Sequence, residues 1–254
     1  MGTSGVESLS ASANIFLGQT EAPLLVRNYL AYASRSEINS IMVGGFATIA
    51  GGVMAAFISM GIKAEYLITA SLISAPGGLM LSKVLIPPSK DTKSLNEIKN
   101  LEIPVAKTPL LAVTNGASDG VKLAVNIMAM LVAFIALIAV ADGLIGLISY
   151  GLSGLGINWF PSTLKDFLGY LFMPFAYLVG IPANEALIFG KLLGSKLALN
   201  EFISYIDLGQ MIKAGTISER TAILSSFALC GFANFSSIAI QIGGLGALVP
   251  EKKE

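Results

Sequence analysis

Histidine is absent from the 254 residues, and cysteine occurs once, at Cys230. Without imidazole, histidine-dependent catalytic triads and the common zinc sites are excluded, and a single thiol cannot close an internal disulfide. Charge is scarce as well. Asp, Glu, Lys and Arg make up 13% of the chain, against about 25% in soluble domains. The 16 basic residues balance the 16 acidic ones and are scattered, with only Lys252 and Lys253 adjacent, so no stripe exists that could track phosphates, and nucleic acid is not expected as a partner. The first twelve residues lack a basic stretch followed by an apolar one, so a cleaved signal peptide is not expected. Val6 stands where a myristoylation pattern wants Ser or Thr.

What the chain does have is apolar length. It is 54% hydrophobic with mean hydropathy +0.74, a composition that belongs in lipid, so the fold class expected is an all-α integral membrane protein. Residues 41–62, 123–141 and 222–249 are long and apolar enough to cross a bilayer, which takes about 20 residues. Residues 66–86 and 167–189 are apolar but interrupted, the first by Pro76-Gly77-Gly78 and the second by Pro174, Gly180 and Pro182. Breaks at membrane depth are tolerated where the freed backbone groups face protein or a water-filled cavity. Residues 87–107 carry Lys90, Lys93, Lys99 and Lys107 among acids and prolines, which predicts an extramembrane loop on the cytoplasmic side. Glycines spaced through 143–156 predict close helix packing followed by a turn.

One internal similarity stands out. Glu21 is followed by Gly45-Phe46-Ala47-Thr48, and Glu201 is followed at a similar distance by Gly231-Phe232-Ala233-Asn234. Repeated motifs in a hydrophobic chain predict inverted structural repeats, with broken helices holding a substrate. Gln19-Thr20-Glu21-Ala22-Pro23 forms a polar tip, with Asn14 upstream and Pro23 opposing a simple helical continuation. A carboxylate at membrane depth costs about 2.5–3.5 kcal/mol or more, so Glu21 and Glu201 are expected to face a cavity, a partner or a substrate. The bland alternatives are ion pairs, Glu21 with Arg27 and Glu201 with Lys196. Glu185, beside Pro182 and Asn184, fits a water interface as well and is left outside the site. The glycine-rich strings would offer carbonyl oxygens to a hard cation and backbone N–H groups to a neutral polar solute. Asn234-Phe235-Ser236 matches a glycosylation acceptor but is expected to be inaccessible inside an apolar span.

These strings, together with Gly194-x-Lys196-x-x-x-Asn200-Glu201-Phe202, Asn115-Gly116-Ala117-Ser118-Asp119-Gly120 and Cys230-Gly231-Phe232-Ala233-Asn234, resemble the concentrative nucleoside transporters, the cation-coupled nucleoside symporters. The likeness runs over nearly the whole chain. It implies two re-entrant helical hairpins, broken transmembrane helices and a homotrimer in which a transport domain moves against a scaffold. It also implies residue roles. Gln19, Thr20 and Glu21 would face the nucleobase with Val53. Glu201, Asn234 and Ser237 would bind the ribose hydroxyls, with Phe232 beside the nucleoside. Asn14, Leu17, Thr48 and Ile49 would hold the cation, Leu17 and Ile49 through their carbonyls. No cofactor is expected, and the coupling ion would be Na+, with H+ as the other option. Thr48 stands where a serine is common in the family, and Ile181-Pro182-Ala183 lacks a tryptophan often found there.

The expected organisation is an incomplete first hairpin and following membrane helices over 1–86, a polar loop over 87–120, a scaffold-type helix over 121–160, and an interfacial helix, second hairpin and broken helix over 161–254. The family normally has further helices before Met1 and after Glu254, so both ends are expected to be cut. Cation-coupled uptake of nucleosides of the uridine, cytidine and adenosine class across the inner or plasma membrane by alternating access is the function expected, by the chain itself or as the binding half of such a symporter. The alternatives are a truncated inactive fragment and, remotely, an intramembrane enzyme using Glu21 and Glu201 as acid and base. For the last, no third catalytic group is evident.

Overall fold

The computed structural model describes residues 2–89, 94–97 and 106–252, with Glu251 described in its backbone alone. Most of the expected extramembrane loop therefore lies outside the described residues. Among them are twelve α-helices and no strand. The chain divides into two compact units, one of Met1–Gly51, Ser71–Leu131 and Ile238–Glu254, the other of Gly52–Ala70 and Val132–Ser237.

The first unit opens with α1 (Gly5–Ala13), started by a capping box in which Ser4 and Glu7 satisfy each other's backbone N–H groups. After a break at 14–20 come the short α2 (Glu21–Leu25) and α3 (Arg27–Leu30). The helix α4 (Arg35–Ala47) has a second capping box, Ser34 with Glu37. Glu37 also accepts the N–H of Leu95 at 2.9 Å, so a described piece of the segment after residue 89 is docked on the start of α4. Val26, Leu30, Ile41 and Val249 are buried together, with Val6, Leu245 and Leu248 against them.

Segment 41–62 is not one helix. It splits into α4 and α5 (Gly51–Ser59) across Thr48–Ala50. The expected interruption of 66–86 does not occur, because α6 (Ala64–Leu85) runs through Pro76. The glycines beside that proline serve packing instead. A Cβ on Gly78 would lie 3.2 Å from the Cβ of Ala47 and 3.8 Å from the Cα of Gly44, so its absence lets α6 lie directly on α4.

The expected boundary at 121 is corrected as well. A single helix, α7 (Pro109–Gly154), covers 46 residues, more than twice the about 20 needed for a span. Thr114, Asn115, Ser118 and Asp119 lower the hydropathy of its first turns but break none of its backbone hydrogen bonds, which is why a reading by hydropathy placed 109–120 in the loop. Asp119 forms an ion pair with Arg27, so this string fastens α7 to α3. Among the described residues, a Cβ on Gly143, Gly151 or Gly154 would meet nothing within 4 Å, and one on Gly146 would lie 3.6 Å from the Ser162 carbonyl oxygen. The expected turn is present, with Gly156 at φ +84°.

In the second unit α8 (Leu164–Val179) ends at Gly180, whose φ of +87° is one that L side chains rarely adopt. A 3-10 turn, Ala183–Glu185, then leads into α9 (Ala186–Ala198). The two helices are pressed together at glycine. A Cβ on Gly190 would sit 2.3 Å from the Gly169 carbonyl oxygen, and one on Gly194 would sit 2.5 Å from that of Lys165. Gly190 and Gly194 form a small-xxx-small pair, the pattern by which helices in lipid gain dispersion and backbone contact where the hydrophobic effect supplies no drive. The chain continues through α10 (Glu201–Ala214), α11 (Glu219–Leu229) and α12 (Phe235–Leu248). Segment 222–249 is thus also broken, at 230–234. The broken pair α4–α5 (35–59), α6 (64–85) and α7 (109–154) are long and apolar enough to cross a membrane.

Candidate functional site

Both glutamates of the repeated pattern open a helix just after a break, Glu21 in α2 and Glu201 in α10. Each unit holds one of them, with its own polar cluster.

In the first unit Asn14 closes α1, and its side chain is fully buried. Neither its amide nitrogen nor its amide oxygen has a hydrogen-bond partner. Leaving a buried polar group unpaired costs about 1–3 kcal/mol, so such an amide calls for a ligand. It faces the end of α4, where a Cβ on Gly44 would lie 3.2 Å from Asn14 Nδ2. Thr48 follows α4 in an extended conformation, and its hydroxyl donates to the Gly44 carbonyl at 3.2 Å. Ile49 is buried, whereas the Leu17 side chain is exposed. The Gly51 N–H donates to the Phe16 carbonyl at 2.9 Å, tying the break in α4–α5 to the break after α1. Asn14 and Thr48 thus both lie against Gly44 in the last turn of α4.

Gln19 is buried, and its Oε1 accepts from Gln241 Nε2 at 3.4 Å. Gly45 makes this possible, because a Cβ there would lie 2.3 Å from Gln241 Nε2 and 3.1 Å from Gln19 Cβ. Sequence reasoning missed Gln241. The available signal was a lone amide in the apolar run of α12. Thr20 donates its hydroxyl to Glu21 Oε2 at 2.9 Å, and the carboxylate folds back over Gly18, where a Cβ would lie 2.3 Å from that same oxygen. Glu21 itself is exposed, and the alternative pair with Arg27 is not formed, since Arg27 is held by Asp119.

In the second unit Asn200 caps α10 by accepting the Ile203 N–H at 3.0 Å. This places Glu201 in the first turn, buried at 6% exposure, where the helix dipole favours a negative charge. Asn234 Nδ2 donates to Glu201 Oε2 at 2.8 Å, and Asn234 Oδ1 accepts the Ser237 N–H at 2.7 Å. One amide thus orients the carboxylate and caps α12 at once. Asn234 is buried, as the inaccessible glycosylation pattern requires. Phe232 is half-buried beside Gly231, whose φ is +101°. The alternative Lys196–Glu201 ion pair does not form, because Lys196 Nζ donates to the carbonyls of Ala228 and Cys230.

Val53 lies on α5, which packs on α10. Phe57 of α5 stacks on Tyr205 of α10 with ring centroids 4.0 Å apart, and a Cβ on Gly209 would lie 2.7 Å from the Met60 carbonyl. These two contacts set α5, which carries Val53, against α10, which begins at Glu201. Tyr205 is fully buried, with its hydroxyl donating to the Ser226 carbonyl at 2.7 Å. Neither it nor Phe57 was singled out from sequence, where both look like ordinary core aromatics. Glu185 accepts the N–H and hydroxyl of Ser218 at 2.9 and 2.8 Å, a structural cap on α11 outside the site.

The family model described as Na+ dependent nucleoside transporter C-terminus matches residues 66–254. The chain belongs to this family of nucleoside transporters. Membership sets aside the enzyme alternative and makes the chain part of a multi-pass membrane protein. It is 46% identical over its whole length to the uncharacterized transporter YutK of Bacillus subtilis, covering 61% of that protein. To the nucleoside permease NupC of Helicobacter pylori it is 43% identical, again over its whole length and over 60% of the relative. It spans about three-fifths of these curated relatives. Among solved structures, a doubly substituted CNTnw in an outward-facing state is 40% identical with TM-score 0.86, over 100% of this chain and 60% of that one. CNTnw in an inward-facing substrate-bound state is 42% identical with TM-score 0.74, over 99% of this chain and 59% of that one.

Proposed function

We propose that the chain is the binding portion of a Na+-coupled nucleoside symporter. The observation that carries this reading is the buried Glu201 carboxylate held by Asn234 at a helix break. A vicinal diol donates two hydrogen bonds, and a fixed carboxylate with an amide beside it answers both in charge-assisted form. In this reading Glu201, Asn234 and Ser237 take the ribose, Phe232 and Val53 pack against the nucleoside, and Gln19, Thr20 and Glu21 take the base. Asn14 and Thr48, with the carbonyls of Leu17 and Ile49, hold the ion. The unpartnered Asn14 amide supports an oxygen-ligated cation, since its Oδ1 would become a ligand. Sodium is favoured over a proton because these groups do not titrate. The breaks around Glu21 and Glu201 act as tips of re-entrant hairpins, and the assembly is a trimer in the inner or plasma membrane.

The test is thermal stabilisation of the purified chain in detergent by uridine and by adenosine, in sodium or choline. A ligand at about 100 times its dissociation constant adds roughly 2.7 kcal/mol. Stabilisation is expected in sodium, with Asn14→Ala losing the sodium dependence and Glu201→Gln losing the nucleoside response. Equal shifts in choline and sodium would refute ion coupling, and no shift with either nucleoside would refute the binding role.

A further inference from the structure

Aligning Gly45-Phe46-Ala47-Thr48 with Gly231-Phe232-Ala233-Asn234 sets Gly44 against Cys230. Cys230 caps the end of α11, whereas Gly44 lies in the last turn of α4, which ends at Ala47, and the two are met differently. Gly44 faces the Asn14 amide, a neutral group with no partner of its own. The carbonyl of Cys230 instead accepts a hydrogen bond from Lys196 Nζ at 3.2 Å, and that of Ala228 accepts another at 3.1 Å. Lys196 is 7% exposed and makes no ion pair among the described residues. Glu201 is nonetheless near enough for the two charges to interact. The last carbonyls of a helix carry the negative end of its dipole, which attracts a cation. An unpaired buried ammonium would otherwise be strongly disfavoured at this depth.

We propose that Lys196 is a tethered cation: its ammonium fills, at the broken end of α11, the place that a free ion takes at the broken end of α4. It is a positioning residue. By holding the carbonyls of Ala228 and Cys230 it fixes the strand of backbone from Gly231 to Asn234, and Asn234 in turn orients Glu201. The second cluster is thereby assembled without an ion, and only the first waits for one. The comparison with α4 rests on the ion-site reading above, whereas the role of the ammonium on α11 rests on its own hydrogen bonds.

A cation removed with its side chain should be replaceable from solution. Lys196→Ala leaves room for a small primary ammonium, so unfolding of the chain in detergent is followed without nucleoside, with ethylammonium, tetramethylammonium or ethanol added. One buried and one part-buried carbonyl lose their donor, so the variant should melt about 5 °C or more below the parent. Ethylammonium should restore most of that shift, while tetramethylammonium, which has charge but no N–H, and ethanol, which has no charge, should not. If Lys196→Ala cannot be purified, Lys196→Arg is compared with Lys196→Met, and the charged variant should be the more stable. Indifference of Lys196→Ala to ethylammonium, or Lys196→Met as stable as the parent, overturns the proposal. Uridine is added in a separate arm. Amine rescue without any uridine shift in the parent would refute the nucleoside reading and leave the tethered cation standing. A uridine shift in the parent without amine rescue would do the reverse.

Discussion

Gly45 shows how much a single missing methyl decides. Its Cβ would fall 2.3 Å from the amide nitrogen of Gln241, the movable end of a side chain, and would meet Gln19 less closely, at 3.1 Å from its Cβ and 3.4 Å from its Cα. Gly45→Ala should therefore leave the fold intact and displace Gln241 from Gln19. Losing one such hydrogen bond, about 1 kcal/mol, predicts nucleoside affinity some fivefold weaker with little change in melting temperature. Titration with uridine checks this, and unchanged affinity would remove the Gln19–Gln241 pair from the site. At this scale the chemistry was legible in the sequence: Asn14, Gln19, Glu201 and Asn234 are polar where an apolar chain does not tolerate idle polarity. Gln241 escaped because one glutamine in an apolar helix carries no motif. The ion pairs weighed for Glu21 and Glu201 were reasonable by spacing. They fail because Arg27 and Lys196 find other partners, Asp119 and two carbonyls.

At the scale of elements, caps and glycines do the positioning. Glu185 lies in the turn between α8 and α9, outside the spanning helices, and joins that turn to the start of α11. Hydrogen bonds from Thr221 and Ser218 hold its carboxyl below its ordinary value of 4.5, against the opposing effect of burial. A depressed folded value means that the ionised carboxylate contributes stability fully above pH 4.5 and loses it as pH falls through the lower folded value. Glu185→Gln should therefore be less stable than the parent at neutral pH, with the difference closing in acid. Melting curves across that window test it, and a difference independent of pH would exclude the carboxylate. The breaks in α4–α5 and α11–α12 were legible from the glycine strings. The continuity of α6 and the early start of α7 were not. Proline and hydropathy report what a segment tolerates in isolation, whereas α6 keeps its helix where Gly78 packs on Ala47.

For the whole molecule, coupling has a quantitative consequence. If sodium raises nucleoside affinity by some factor, nucleoside must raise sodium affinity by the same factor, since both close one thermodynamic cycle. Typical couplings are about 5- to 150-fold. Uridine titrations at several sodium concentrations, and sodium titrations at several uridine concentrations, should return equal factors for the purified protein. Unequal factors at equilibrium would mean that the ion and the nucleoside do not share one binding scheme.

Composition and motif by themselves determined that this chain lives in lipid and that it belongs with nucleoside transporters. These are properties of which groups are present and how they are spaced, and lipid punishes unneeded polarity severely enough to make the remaining polar residues informative. Tertiary structure alone decided that Gln241 completes Gln19, that Lys196 caps the broken α11 and that Phe57 of α5 stacks on Tyr205 of α10. Each depends on which distant segment arrives within a few ångströms, and that is set by close packing at glycines such as Gly45 and Gly209, which no local pattern in the chain records.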